Sequence, residues 1–422
     1  MLVGLRKYTQ GCSIAIEGNN KLKSKPYSFT SYRVFIFLIT IYMLTTLSYN
    51  LWPISTPNRV VGFFIFADVL WMVASQKGIN KHQITILLLS SLICLITFAF
   101  ASNYSRNLTD AIYWLTTMLL FSMVVKKENR DRLIEEIWRQ KTFIIVILTI
   151  CSILLVVGLF DGRCYARSWG GRYYTGYTVS EHTLCSGCCM VMAFILFFMK
   201  RRKHKTYDFA FFLPTAAAIM ASGARIFMIP LVFVFAIYYI YYIKSFSWKI
   251  LLAPVVVLTA VYFFLRSGMA SKFLFVQGNT YISNTVAGQL TSGRVDFWRI
   301  DIKAYIDLPI IKKIFGAGFD YVYSVNRASY GMNIWAHNDI IDLLLSGGLI
   351  GVCLYMFEVG HFIKTLNRQF HRTLVRIIFS SYIMMPLILN GFFGYQHYLY
   401  STVIFILAIC ELEDGRKNGE KS

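Results

Sequence analysis

Four short elements carry side chains that can bind an anion or move a proton. The first is Arg225, in Ala221-Ser222-Gly223-Ala224-Arg225-Ile226-Phe227, between two apolar runs with almost no loop. An arginine deep in a bilayer costs about 2.5–3.5 kcal/mol on an insertion scale, and ionisable groups there face a cavity and take a partner. Arg225 reads as a headgroup anchor with its stem along apolar surface, or as an anion ligand beside a turn that Gly223 permits. The second element is Trp335-Ala336-His337-Asn338-Asp339, directly before another apolar run. Its plain reading is a helix N-cap neighbourhood. Its chemical reading is a neutral imidazole at His337 that takes a proton near neutral pH, oriented by Asn338 or Asp339. The third is Arg294, in Thr291-Ser292-Gly293-Arg294, in the first turn of an expected helix, where free N–H groups favour anions. The fourth is Arg172, in Arg172-Tyr173-Tyr174-Thr175-Gly176, followed by Glu181 and His182. Arg294 and Arg172 also read as solvated loop residues, and Glu181 and His182 as interfacial polar groups or substrate contacts.

The elements that must position these groups are apolar helices. Of 422 residues, 56% are hydrophobic and only 15% charged, with a mean hydropathy of +0.54. Soluble domains carry about 25% charge, so a water-soluble globule and a disordered chain are excluded. A helix needs about 20 apolar residues to cross a bilayer. Runs of that size lie near 32–50, 59–76, 84–101, 108–125, 142–160, 183–200, 207–223, 225–243, 249–266, 340–363, 374–391 and 396–411. An all-α integral membrane protein of about twelve transmembrane helices is expected.

The net charge of +21 would suggest nucleic acid in a soluble protein, but here its placement reads as topology. Basic clusters fall in alternate connections (Lys77 and Lys81; Lys126 to Lys141; Lys200 to Lys205; Lys244 and Lys249; Lys364 to Arg376) and at both termini. The opposite connections 51–58 and 392–397 hold neither lysine nor arginine, and 102–107 holds only Arg106. Lysine and arginine gather on cytoplasmic loops, which gives N-in and C-in ends. The expected organisation is a bundle over 1–266, one large periplasmic loop over 267–339, and a C-terminal helical part over 340–422. Within the loop, Ser292 is an expected cap for a surface helix from Arg294 to Asp307. Val295, Trp298, Ile302 and Tyr305 share one face of it, and Pro309 stops it.

On this topology all four chemical elements lie on the periplasmic side. Arginines and a histidine with few acidic neighbours describe a pocket for a polyanion such as a diphosphate. That face has no Asp-x-Asp cluster, which argues against a divalent metal. Cys185, Cys188 and Cys189 lack the partners a zinc site needs and read as buried thiols. No P-loop, dinucleotide fingerprint or HExxH motif occurs.

Taken in order, Ser222 to Arg225, Ser292-Gly293-Arg294 with Trp298, Phe315-Gly316-Ala317-Gly318-Phe319, Ala336-His337-Asn338 and Gly347-Gly348-Leu349-Ile350-Gly351 resemble the O-antigen ligase/polymerase family of bacterial envelope membrane proteins. Arg172 through Gly176 is similar to an earlier external element of that family, although the Pro-Asn often found after it is missing from 176–183. The resemblance is strongest over about 215–360. It implies about a dozen transmembrane helices in the inner membrane and transfer of glycan from an undecaprenyl-diphosphate carrier, without cofactor or metal. It implies that Arg225, Arg172 and Arg294 hold the diphosphate and that His337 activates the acceptor hydroxyl. Partners so implied are the lipid-linked glycan, an acceptor glycan (a lipid-linked repeat unit or lipid A-core), membrane lipids and a chain-length regulator, with no nucleic acid. The short interval from Asp320 to Ala336 favours a polymerase over a ligase. A flippase or transporter is the reading from another class, and transporters often show paired halves; no internal repeat is found here.

Overall fold

The computed structural model describes residues 31–53, 56–75, 81–168, 171–199, 206–242, 285–331, 333–389, 391–392 and 396–417, with scattered helical positions between 247 and 270. The expected span near 249–266, the first part of the loop, and the basic clusters at 200–205 and in the first thirty residues lie outside the described residues.

The first half of the described chain forms α1 (Ser31–Leu47), α2 (Pro57–Ala74), α3 (Lys81–Phe100), α4 (Tyr104–Val124), α5 (Lys127–Arg139), α6 (Lys141–Phe160), α7 (Glu181–Phe198), α8 (Thr206–Ser222) and α9 (Met228–Tyr242). A two-stranded antiparallel hairpin, β1 (Tyr165–Ser168) with β2 (Gly171–Tyr174), joins α6 to α7, with Arg167 opposite Arg172. The second half forms α10 (Val286–Leu290), α11 (Arg294–Asp307), α12 (Ile310–Phe315), α13 (Tyr321–Tyr330), α14 (Asp339–Ser346), α15 (Gly348–Asn367), α16 (Thr373–Leu389) and α17 (Gln396–Lys417).

Each expected span that lies within the described residues falls on helical structure, that over 340–363 on two helices instead of one. Among the described residues five are long and apolar enough to cross a membrane: α2, α3, α6, α7 and α15. A sixth arises if α4 and α5, which meet at 99°, count as one broken span. Helices α1, α8, α9 and α16 are apolar but shorter.

The core runs along α7, which packs against α17, α1, α8 and α9. Every α7 residue from Leu184 to Phe198 is buried, as suits a helix apolar all round. Small residues let its neighbours approach: a Cβ on Gly187 would sit 2.8 Å from Leu47 Cδ2. Cys185, Cys188 and Cys189 are buried on this helix as packing residues.

The expected span over 340–363 is broken at Gly347 and Gly348 into α14 and α15. Gly348 has φ +63, which side chains rarely adopt. The turn after α12 docks into this break by its backbone. Ala317 N–H donates to the Leu345 carbonyl at 2.8 Å, and Gly318 N–H to the Ser346 carbonyl at 3.2 Å. A Cβ on Gly316 would overlap the Ser346 carbonyl, and one on Gly348 would overlap the Ile314 carbonyl. The two glycine motifs are thus halves of one contact.

The same turn is bolted to the α3–α4 corner. Asp320 Oδ2 accepts from Ser102 N (2.9 Å), Ser102 Oγ (2.7 Å) and Asn103 N (2.6 Å). Asn107 Oδ1 accepts from Phe319 N at 2.6 Å.

Helix α11 has its expected bounds but a different cap and a different buried face. Gly293, at φ +81, occupies the N-cap position in place of Ser292, and Pro309 opens α12. Trp298 and Tyr305 pack against Val322, Tyr323, Ala336, Ile341 and Leu345 as expected. Asp301 is fully buried on that face, while Ile302 is 42% exposed.

The glycine contact and the topology can each be tested. Gly316→Ala should cost about 2–4 kcal/mol, through strain at a positive φ and the backbone overlap. Thermal unfolding in detergent measures it, and wild-type stability would make the glycine contact dispensable. Ser329 on α13 and Arg132 on α5 are both exposed. On the charge-derived topology, an impermeant maleimide added to intact spheroplasts labels Ser329→Cys and spares Arg132→Cys. The opposite pattern would invert the topology.

Candidate active site

Helix α8 ends at Ser222, and a short 3-10 turn, Arg225–Phe227, precedes α9. Gly223 has φ +67, and Ser222 Oγ accepts from Ala224 N at 3.2 Å. The glycine and the serine make the break that exposes Arg225. Its Nη2 donates to Ser292 Oγ at 2.6 Å, so the serine read as a helix cap instead ties α11 to the span break. Arg225 is half-buried, within electrostatic reach of Tyr173; an arginine stays charged in such a place.

Arg294 lies two residues beyond Ser292. Its Nη1 donates to the Leu389 carbonyl, at the end of α16, at 2.9 Å. It is also the charge that acts on His337: burial first, then Arg294, pushes the imidazole pKa down to about 3. The ring is therefore neutral at physiological pH. It lies 4.6 Å from the Trp335 ring and 6.2 Å from the His182 ring, centroid to centroid. His182, at the start of α7, is 5.9 Å from Phe227, which follows Arg225 by two positions. Arg225, Ser292, Arg294, His182 and His337 thus form one linked cluster from α7, the α8–α9 break, α11 and the segment before α14.

Among the described residues, the only non-glycine residues at positive φ are Ser292 and His337, both at +56°. Such strain persists where surrounding structure over-determines it, and it concentrates at functional sites.

Other expected site residues are placed differently. Arg172 is exposed, donates to the Gly162 carbonyl and stacks its guanidinium 5.4 Å over the Tyr165 ring. It does not join the cluster. Strand neighbours face opposite ways, and Tyr173, buried, is the hairpin residue that acts on Arg225. Asn338 caps α14, accepting from Ile340 N at 3.0 Å and Ile341 N at 3.2 Å. Asp339 Oδ2 accepts from Tyr355 Oη at 2.6 Å and Phe392 N at 2.7 Å. Both side chains are engaged in fixing α14, so neither supplies the expected orienting bond to the imidazole.

The expectation of few acidic neighbours fails: the fold gathers buried acids, of which sequence reasoning named only Asp339 as a site residue. Asp342 on α14 lies within electrostatic reach of Asp339, Asp301 on α11 and Asp110 on α4. Asp110 pairs with Arg106 at 2.9 Å, and Arg106 also donates to Tyr323 Oη. The four aspartates come from three helices, so no short motif announces them.

Asp301 yields a pH prediction. Burial raises its pKa to about 7, against a lowering contribution from Asn326. The folded state holds that proton more tightly than an unfolded chain, where aspartate titrates near about 3.9. This stabilisation is complete below the unfolded value and is lost as pH rises through about 7. Limited proteolysis should find α11 better protected at pH 5 than at pH 8, and Asp301→Asn should flatten the difference. An unchanged pH dependence in the variant would contradict the assignment.

No curated protein sequence matches the chain. Residues 209–356 match a family model described as O-antigen ligase. The match includes Arg225, Ser292, Arg294 and His337, and both halves of the glycine contact. This multi-pass membrane protein carries, over residues 209–356, the domain of the O-antigen ligase family.

Proposed function

We propose that the protein is a membrane glycosyltransferase that polymerises a surface polysaccharide at the periplasmic face of the bacterial inner membrane. Its donor is a glycan on undecaprenyl diphosphate, and its acceptor is a lipid-linked repeat unit. The observation that carries this reading is the gathering of Arg225, Arg294 and a neutral His337 around one strained junction. In the reaction, the acceptor hydroxyl oxygen bonds to the anomeric carbon as the bond from that carbon to the diphosphate oxygen breaks. The leaving diphosphate keeps the electron pair, and Arg225 and Arg294 neutralise its charge. The hydroxyl proton passes to His337.

A base works best with a pKa near the working pH, and among the protein's own groups His337 is held far below it. A diphosphate seated against Arg294 offsets the second cause of that depression. Donor binding then raises the basicity of the imidazole where the acceptor arrives. Nucleotide and metal have no step in this reading.

The short interval between the Gly316–Phe319 turn and His337 favours the polymerase. The ligase reading, with lipid A-core as acceptor, has in its favour the description of the matched family. A flippase would have no use for a base at His337.

A glycan ladder from a deletion strain complemented with this gene separates these readings. Loss of a polymerase leaves one-repeat product, while loss of a ligase leaves full-length carrier-linked polymer and bare core. Loss of a flippase empties the outward-facing pool. In the same strain, Arg225→Lys keeps the charge but loses the planar fork, and should reduce polymer severely at normal protein level. Arg225→Ala should be worse and Arg294→Ala milder. Wild-type polymer from Arg225→Ala would demote this residue to a headgroup anchor.

A further inference from the structure

Ala336, the residue that precedes His337, is held through the peptide groups on both its sides. Trp298 Nε1–H on α11 donates to the Ala336 carbonyl at 2.8 Å. Ala336 N–H donates to Asp342 Oδ1 on α14 at 2.9 Å. Ala336 is completely buried and Asp342 nearly so, so water does not substitute for either partner. Trp335, the next residue back, lies against the imidazole.

The bond from Asp342 is not an ordinary helix cap. In a capping box the third helical residue reaches back to the N-cap N–H. Here Asn338 is the cap, and the acceptor is the fourth helical residue. It reaches past the cap to the N–H of the residue just before His337. The neighbouring carboxylate, Asp339, is taken up by Tyr355 and Phe392, which seats α14 so that Asp342 arrives in place.

We infer that Trp298 and Asp342 are positioning residues for His337, their bonds to the carbonyl and the N–H of Ala336 holding the His337 backbone in the left-handed geometry that sets the imidazole beside Arg294. The inference rests on the reading of His337 as the base. An unrestrained histidine relaxes toward negative φ, which swings the ring away from the cluster. A buried bond to each side of the adjoining residue removes that freedom. It also couples the ring to both α11, which carries Arg294, and α14.

The test uses the purified full chain, a lipid-linked repeat unit as donor and acceptor, and separate measurement of kcat and KM. Trp298→Phe keeps an aromatic ring and removes the donor. Asp342→Leu removes the acceptor, and Asp342→Asn keeps an acceptor oxygen without the charge. Trp298→Phe and Asp342→Leu are each expected to lower kcat about 10- to 100-fold with KM within about twofold of wild type. Asp342→Asn should recover most of the rate. Added to His337→Ala, neither change should slow the enzyme further, because residues that act as a unit are not additive.

Full additivity would overturn the inference, as would a raised KM at unchanged kcat. Asp342→Asn as slow as Asp342→Leu would overturn it too, since charge and not the bond would then matter. If His337→Ala alone turns over normally, the base reading itself fails. If His337→Ala is inactive while Trp298→Phe and Asp342→Leu keep wild-type kcat, the positioning role alone fails. Should Asp342→Leu not fold, Trp298→Phe and Asp342→Asn carry the comparison.

Discussion

The site depends on a contact between two pieces of bare backbone. The Gly316–Gly318 turn lies so close to the break between α14 and α15 that neither Gly316 nor Gly348 has room for a Cβ. Two peptide hydrogen bonds close the contact. Asp320 and Asn107 then fasten the same turn to the α3–α4 corner. This anchorage ties α12 and α13 to the rest of the described structure through their backbone. Together with α11 they form a layer whose inner face presents Trp298 to the peptide before His337.

On that layer the chemistry is a matter of placing charge where water is scarce. Arg225 meets Ser292 from a break between helices, and Arg294 meets a carbonyl at the end of α16. Both stand where α11 meets the ends of other helices, α8 and α16. The depressed proton affinity of His337 comes from burial, then the field of Arg294. In the proposed reaction, a donor that brings negative charge to Arg294 alters that field directly, which would link donor occupancy to the basicity of His337.

Much of this is legible in the sequence. Long apolar runs mark the helices, and the bounds of α11 are those expected from a cap at Ser292 and a stop at Pro309, although the cap itself is Gly293. Arg225 is conspicuous because two apolar runs meet at it without a loop. What stays hidden is tertiary. Ser292 resembles a cap because local patterns favour serine there, but Arg225 claims its hydroxyl and Gly293 takes the cap position. Arg172 stands in a segment suited to an anion ligand, yet strand alternation gives the inward place to Tyr173. Asp301 escapes a periodicity argument, which counts apolar residues such as Ile302 and gives no weight to a buried acid. Asp339 and Asn338 stand beside His337 in sequence but serve α14, whereas Asp342 and Trp298, more distant, hold the peptide next to it.

The central claim is that His337 takes the acceptor proton while the arginines hold the donor. Its most direct test is transfer by purified His337→Ala with a lipid-linked repeat unit, measured beside donor binding in the same preparation. A positioned base contributes about 10²- to 10⁴-fold, so the account predicts chain extension reduced by that order with donor affinity close to wild type. Turnover within a few-fold of wild type would contradict it, and loss of donor binding with turnover would make His337 a diphosphate ligand instead.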